Sequence, residues 1–335
     1  MKKINAGVIG VGGRIGKIHM ESLMRMPHKV NIVGICELVK KSADYFAGLC
    51  GAEAFTDYKK MLESDDIDTV FIMTPSNTHY EITIDSARAG KNIFCEKPVA
   101  ETLEKSEEIT RVIKETGVKY QLGYQRRFDP AYAEAKKLVD AGKIGKPLLF
   151  KSTSRDPFPP PEWACNPETG GGCYLDMVTH DFDLARWFLK SEVAQVYSND
   201  AHLLDIDYDI QDLVDNVTVS LKFKNDTLAL IDGSWNSKGG YDVRSEISGS
   251  DGTIFIGGLN SSQVTLFAPG GVNMVATYEN FIHRFRDAYY LELESFVDNL
   301  LEDKPPEITE KDGLAAMRIS MAALESSASK KLVKL

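Results

Sequence analysis

Apolar residues come in short runs over the first third of the chain, and in alternation with polar ones over much of the rest. Residues 4–9, 30–36, 69–73 and 92–95 are runs of the first kind, with polar residues only at Asn5, Asn31, Thr69 and Asn92, and Lys119 to Leu122 closes the set as a further strand. Runs so short and so apolar predict strands buried on both faces. Between them, helical spacing predicts helices over 17–26, 42–50, 58–64, 79–89 and 103–116. Strand and helix in steady alternation build a doubly wound parallel sheet, here over residues 1–123. A helix is expected over 130–141, and from Leu148 the period changes to two. Val217, Val219, Leu221 and Phe223 alternate with Thr218, Ser220 and Lys222, and 224–226 turns the chain into a returning strand over 228–235. Further strands near 241–249, 252–256 and 263–267 complete a large, mostly antiparallel open sheet. The helix expected over 172–189 can cover part of that sheet, and late helices are expected over 291–301 and 313–329. The expected fold is therefore α/β over 1–123, followed by an α+β domain over 124–335.

Punctuation in the first half carries chemistry. The run at 4–9 ends in Gly10, Gly12, Gly13, Arg14, Ile15 and Gly16 before a helix begins. Strand, glycine turn and helix are the setting of a dinucleotide fingerprint, in which backbone N–H groups approach a pyrophosphate at the helix N-terminus. A strict G-x-G-x-x-G would put its third glycine at 15, which is Ile. Gly10, Gly13 and Gly16 fit only with one glycine inserted. The second strand ends in Glu37, 21 residues beyond Gly16. A carboxylate there accepts from both ribose hydroxyls and opposes a 2′-phosphate, which favours NAD over NADP. Thr74, Pro75, Asn77 and His79 follow the third apolar run, at the strand end where ligands collect. Asn77 and His79 are candidates for cofactor contact, with capping of the next helix as the alternative. Glu96, Lys97 and Pro98 stand at the end of the fourth run, where Glu96 and Lys97 are candidates for cofactor contact on the nicotinamide side.

In the second half, a helical stripe of Leu175, Val178, Phe182, Ala185 and Leu189 is accompanied by another of Asp176, His180 and Asp183. Two carboxylates flanking an imidazole can orient its ring. The plain alternative is a solvated helix face. His and Asp there lack a third ligand at metal spacing, so no metal site is expected.

Composition narrows the partners. The 335 residues carry a net charge of −10 with no basic block, which argues against nucleic acid and anionic membranes. No segment approaches a membrane span of roughly 18 apolar residues. The five cysteines form no C-x-x-C pair, as expected of cytoplasmic thiols.

The glycine turn, Glu37, Glu96-Lys97-Pro98 and Asp176-x-x-x-His180 together resemble the glucose–fructose oxidoreductase / inositol dehydrogenase / rhizopine-catabolism (Gfo/Idh/MocA) family over essentially the whole chain. Within it, the stretches 123–129, 153–157 and 175–183 and Gly240-Tyr241-Asp242 are most similar to inositol 2-dehydrogenases. The resemblance implies a Rossmann domain binding NAD and a second domain that binds substrate and assembles the oligomer, a homotetramer in expectation. It implies that Lys97, Asp176 and His180 surround the reacting carbinol, and that Gln125, Arg126, Asp156, Asp183 and Tyr241 contact a neutral cyclic polyol, with myo-inositol first. A pyranose or scyllo-inositol dehydrogenase is the alternative. A non-catalytic NAD or sugar sensor and an NAD-dependent glycosidase on the same fold are further ones.

Overall fold

The computed structural model describes residues 2–166, 169–210, 213–268 and 272–335. The chain divides into two compact units: Met1–Phe128 with Asp287–Met317, and Asp129–Arg286 with Arg318–Leu335.

In the first unit, β1 (Ile4–Ile9), β2 (Val30–Cys36), β3 (Glu53–Phe55), β4 (Thr69–Ile72), β5 (Asn92–Glu96) and β6 (Tyr120–Gly123) alternate with helices. These are α1 (Arg14–Met24), α2 (Lys40–Cys50), α3 (Tyr58–Leu62), α4 (His79–Arg88) and α5 (Leu103–Thr116). All strand pairs are parallel, in the order β3-β2-β1-β4-β5-β6. The strands are mostly apolar because helices lie on both faces; Val8, Phe71 and Phe94 are fully buried. α5 shows how local sequence sets an element. Thr102 accepts from the Lys105 N–H at its start, Ile109, Val112 and Ile113 form its buried side, and Gly117 ends it at φ 72°. Strand order reverses between β1 and β4, so their C-terminal ends flank a crevice.

The second unit begins with α6 (Pro130–Asp140), where Asp129 accepts from the N–H groups of Ala131 and Tyr132 and Pro130 stands in the first turn. There follow β7 (Pro147–Arg155), α7 (Glu162–Cys165), a π-helical turn over Cys173–Met177, α8 (Thr179–Leu189), β8 (Val193–Ala201), β9 (Asn216–Phe223) and β10 (Leu228–Ser234). Next come β11 (Asp242–Gly249), β12 (Thr253–Gly257), β13 (Asn260–Ala268), β14 (Val272–Thr277), α9 (Phe281–Leu301), α10 (Glu310–Ser329) and β15 (Val333–Lys334). Seven strands form a sheet in the order β12-β11-β7-β10-β9-β8-β15, while β13 and β14 pair apart from it. The sheet is antiparallel except where β7 and β10 run parallel at its centre.

The period-two pattern is fulfilled on β9, where Val217, Val219, Leu221 and Phe223 are all buried. On β7 the buried positions are Phe150, Ser152 and Ser154, and α8 covers them, with Phe188 stacked on Phe150 at 5.9 Å. The opposite face is open and mixed. Leu228, Leu230, Tyr197 and Phe255 are exposed there beside the ion pairs Lys151–Glu246 and Arg155–Asp232. α9 is broken at Phe285, and the boundary between units falls just beyond the break. Its later turns pack Leu293, Phe296 and Val297 against Phe71 and Phe94 of the parallel sheet.

Candidate active site

The glycine turn after β1 resolves its irregular spacing through geometry. Gly10 has φ 90°, and a Cβ there would lie 2.8 Å from Thr74 Cγ2. A Cβ on Gly16 would lie 2.2 Å from the Gly10 carbonyl oxygen, so α1 approaches β1 only because residue 16 is Gly. Gly13 caps α1 without a side-chain bond and has nothing within 4 Å of where its Cβ would stand. A tight turn, an open amide position at a helix N-terminus and a close helix–strand contact are the three glycine tasks of a pyrophosphate turn. Here they fall on 10, 13 and 16. Gly12, Gly13 and Arg14 are exposed and Ile15 is half-buried. Glu37, at the end of β2, accepts from the Gly12 N–H at 2.5 Å. These residues fit a dinucleotide whose ribose hydroxyls would meet Glu37.

After β4, Thr78 Oγ1 donates to the Pro75 carbonyl at 2.7 Å and lies 2.7 Å from Thr74 Oγ1. Asn77 is exposed, and α4 starts without a side-chain cap. His79 is buried, with Nδ1 2.7 Å from the Pro98 carbonyl oxygen and Nε2 2.9 Å from that of Thr74. Its place is beneath two turns at the strand ends.

Lys97 is half-buried at the end of β5, and its N–H donates to Oε2 of Glu96 at 3.1 Å. Gln125 and Arg126 lie in a buried 3-10 turn after β6, where Gln125 Nε2 donates to Tyr289 Oη at 3.1 Å. Arg127 pairs with Asp312 at 3.1 Å, a structural ion pair.

In the second unit, Gly172 at φ 61° leads into the π-helical turn that carries Asp176. The turn's bond from the Val178 N–H to the Cys173 carbonyl inserts a residue before α8, so the stripe expected over 172–189 is two elements rather than one. Such turns are frequent at functional sites. The apolar stripe holds across the junction, because Leu175, Val178, Phe182, Ala185 and Leu189 are all buried. His180 and Asp183 are buried as well, whereas Asp176 is half-buried. The helix start is pinned by Asp181, fully buried, whose two carboxylate oxygens accept from Ser152 Oγ at 2.5 Å and Ser154 Oγ at 2.7 Å. That carboxylate has no signature in the sequence beyond being polar in a buried run.

Asp156 lies just past β7, its N–H donating to the Ser234 carbonyl at 2.9 Å. Tyr241 is buried edge-on to Phe285, and its N–H donates to the Tyr278 carbonyl at 2.7 Å. Two thiols lie near Asp176. Burial first, and the Asp176 and Glu162 carboxylates after it, push Cys165 up to about 12. Burial and the Asp176 charge raise Cys173 well above an ordinary thiol. Neither is a nucleophile at neutral pH.

The NAD-binding Rossmann-fold profile of the oxidoreductase family matches residues 4–124, and the GFO/IDH/MocA C-terminal domain profile matches 132–255. The chain is 35% identical to a myo-inositol 2-dehydrogenase of Thermotoga maritima, over 98% of each chain. It is 34% identical to a scyllo-inositol 2-dehydrogenase (NAD(+)) of Bacillus subtilis, over 97% of this chain and 94% of the relative. Among solved structures, the scyllo-inositol dehydrogenase of Lactobacillus casei with bound NAD(H) and scyllo-inositol superposes with a TM-score of 0.89. That pair is 31% identical and covers 99% of this chain and 98% of the other. No helix among the described residues is long and apolar enough to cross a membrane.

Proposed function

The chain belongs to the Gfo/Idh/MocA family of NAD-dependent oxidoreductases, and on that premise we propose that it oxidises one secondary alcohol of a cyclic polyol, with myo-inositol first, to the ketone. The observation that carries this reading is its similarity to inositol dehydrogenases along nearly the full length of both chains. NAD, when bound, supplies the nicotinamide carbon that accepts the hydride. The protein then has two tasks, removing the hydroxyl proton and holding the charge that develops on oxygen. His180 takes the proton on an imidazole nitrogen, since imidazole titrates near neutrality. The Lys97 ammonium stabilises the alkoxide, and Asp176 orients the hydroxyl or the imidazole.

Gln125, Arg126, Asp156, Asp183 and Tyr241 bind the remaining hydroxyls in this reading. Several short polar groups suit a neutral polyol, and the carboxylates would repel an acidic substrate. In this reading the first unit holds the cofactor and lends Lys97, Gln125 and Arg126 to the substrate, and the second supplies the remaining substrate contacts and assembles the oligomer. We assign assembly as a homotetramer to the open sheet face, supported by exposed Leu228, Leu230, Tyr197 and Phe255 on its strands. Five free cysteines, none in a disulfide, suit a cytoplasmic setting. The test is NADH formation across inositol isomers and monosaccharides. A glucose kcat/KM well above that of every inositol would overturn the inositol assignment, and turnover without net NADH would point to a glycosidase. Light scattering tests the oligomer, and a monomer at micromolar concentration would contradict it.

A further inference from the structure

Two buried histidines flank the backbone of Lys97, and neither is placed to meet substrate. His19, from α1, is fully buried between Phe94 and Tyr289, with ring centroids 5.4 and 5.3 Å away. Its Nε2 lies 2.5 Å from Oε1 of Glu96. An ionised carboxylate only accepts, so Nε2 carries the proton and donates. The other oxygen of the same carboxylate accepts from the Lys97 N–H at 3.1 Å. Glu96 therefore spans His19 and the Lys97 amide with one oxygen each. Space for it depends on Gly123, where a Cβ would come within 3.1 Å of that carboxylate.

On the other side of Lys97, His79 faces the Pro98 carbonyl with Nδ1 and the Thr74 carbonyl with Nε2. Carbonyl oxygens only accept, so both ring nitrogens must donate and the ring is an imidazolium. Burial works against that charge, but Cys95 and the two carbonyls outweigh it and raise His79 to about 9.

His19, Glu96 and Glu292 also stand within 4.8 Å of one another, all buried. A shared cation is the poorer explanation. Ligands each about 2.0–2.2 Å from one zinc ion in tetrahedral geometry are held further apart than the 2.5 Å between His19 and Glu96. A proton fits that gap and a metal does not.

From this geometry we infer that His19 and His79 are positioning residues for Lys97, one through the Glu96 carboxylate that receives its amide and the other through the carbonyl of Pro98. The inference rests on reading Lys97 as the group at the reacting carbinol. Both histidines come from helices whose first turns follow the strand ends of the cofactor crevice. They thereby link the glycine turn and the Thr74 turn to the lysine, and a shift of about 1 Å in a reacting group costs on the order of 100-fold.

The test compares His19→Leu, His19→Gln, His79→Leu and Lys97→Met in the full chain. It measures kcat on the best polyol, the NADH dissociation constant by fluorescence, and the 15N spectrum of the histidine rings. The expected result is a kcat roughly 10–100-fold lower in both Leu variants, with NADH affinity within about threefold. His19→Gln, whose amide can replace the Nε2 donor, is expected to recover kcat to within about threefold. In the unsubstituted protein, His79 should show both ring nitrogens protonated at neutral pH. This spectrum decides the matter even if a Leu variant fails to fold, because a neutral His79 overturns its part of the inference. Leu variants with unchanged kcat beside an inactive Lys97→Met overturn the inference alone. His19→Gln falling as far as His19→Leu would mean that the ring acts by packing and not as a donor. An active Lys97→Met would remove the reading of Lys97 itself, and the inference with it.

Discussion

In the first unit Lys97 stands at the end of a strand with parallel neighbours on both sides. In the second, Asp176, His180 and Asp183 stand on a turn and a helix laid against one face of an open sheet. The ladder bonds of β4, β5 and β6 fix the path of the chain up to residue 96 whatever the side chains do. Nothing comparable fixes the start of α8. Its place comes from the apolar stripe and from the Asp181 carboxylate between two serine hydroxyls of β7. A strand-end residue is placed by topology, and a helix residue by the side chains beneath it. Substitutions beneath α8 should therefore damage the site more readily than substitutions along β5.

The largest effect should come from the groups proposed to act on the alcohol. His180→Ala is expected to lower kcat by roughly 10²–10⁴-fold, the usual scale for a general base, in a protein that still binds NADH. Unchanged turnover would take His180 out of the mechanism and leave the second unit a role in binding alone. Lys97→Met should cost about 10²–10³-fold, comparable to the loss of one stabilising donor at a developing oxyanion. Its signature is a fall in kcat with little change in NADH affinity. A change confined to KM would place Lys97 in ground-state binding.

The comparison between the units is sharpened at Asp181. Asp181→Ala leaves Ser152 and Ser154 facing a void, and about 2–3 kcal/mol of unfolding free energy should be lost, read as a lower denaturation midpoint. Ser152→Ala alone should cost less, about 1 kcal/mol, because the Asp181 carboxylate keeps Ser154 Oγ at 2.7 Å. If Asp181→Ala leaves stability and kcat unchanged, α8 is held by its apolar stripe and the contrast with β5 disappears.

The same contrast explains what could be read from the residues. The boundaries of β1, β2 and α5 follow from pattern because the two strands are apolar but for Asn5 and Asn31 and the helix carries its own cap and stop. The apolar runs over β4 and β5 are visible for the same reason, whereas β6, with Gln121 inside it, is legible only as the last step of the strand–helix alternation. β8 is not, because the inward positions after Val196 are the polar Ser198 and Asp200 while Tyr197 faces outward, and its burial comes from packing distant in sequence. The π-helical turn is not visible either, since the apolar stripe of 175–189 looks the same with one residue inserted between turns. No local pattern indicates that 287–317 belong with the first unit; that follows from Phe296 meeting Phe71 and Phe94. Of the candidate site residues, those at strand ends or in glycine turns are legible from punctuation. His19 and Asp181 are single polar residues within buried helix faces, and only their partners give them meaning.

The smallest expected effect concerns the cofactor, and it tests whether topology alone sets specificity in the first unit. Glu37 already lies over the glycine turn, bound to the Gly12 N–H at 2.5 Å, so its carboxylate is in place before any ribose arrives. A 2′-phosphate there would meet that charge. The cations that would welcome it are Lys40 and Lys41, the first two residues of α2. Lys40 is engaged by Asp44, at 2.7 Å to one carboxylate oxygen and 2.8 Å to the other, which directs its ammonium along the helix. Both partners are exposed, so this bond is worth at most about 0.5 kcal/mol and would yield to a phosphate. Repulsion by Glu37 is then the main barrier to NADP. Glu37→Ala should raise the NADP-to-NAD ratio of kcat/KM by about tenfold, or about 1.4 kcal/mol. Adding Asp44→Ala should raise it further by releasing Lys40. An unchanged ratio in Glu37→Ala would mean that selectivity lies in the shape of the crevice rather than in the charge at the end of β2.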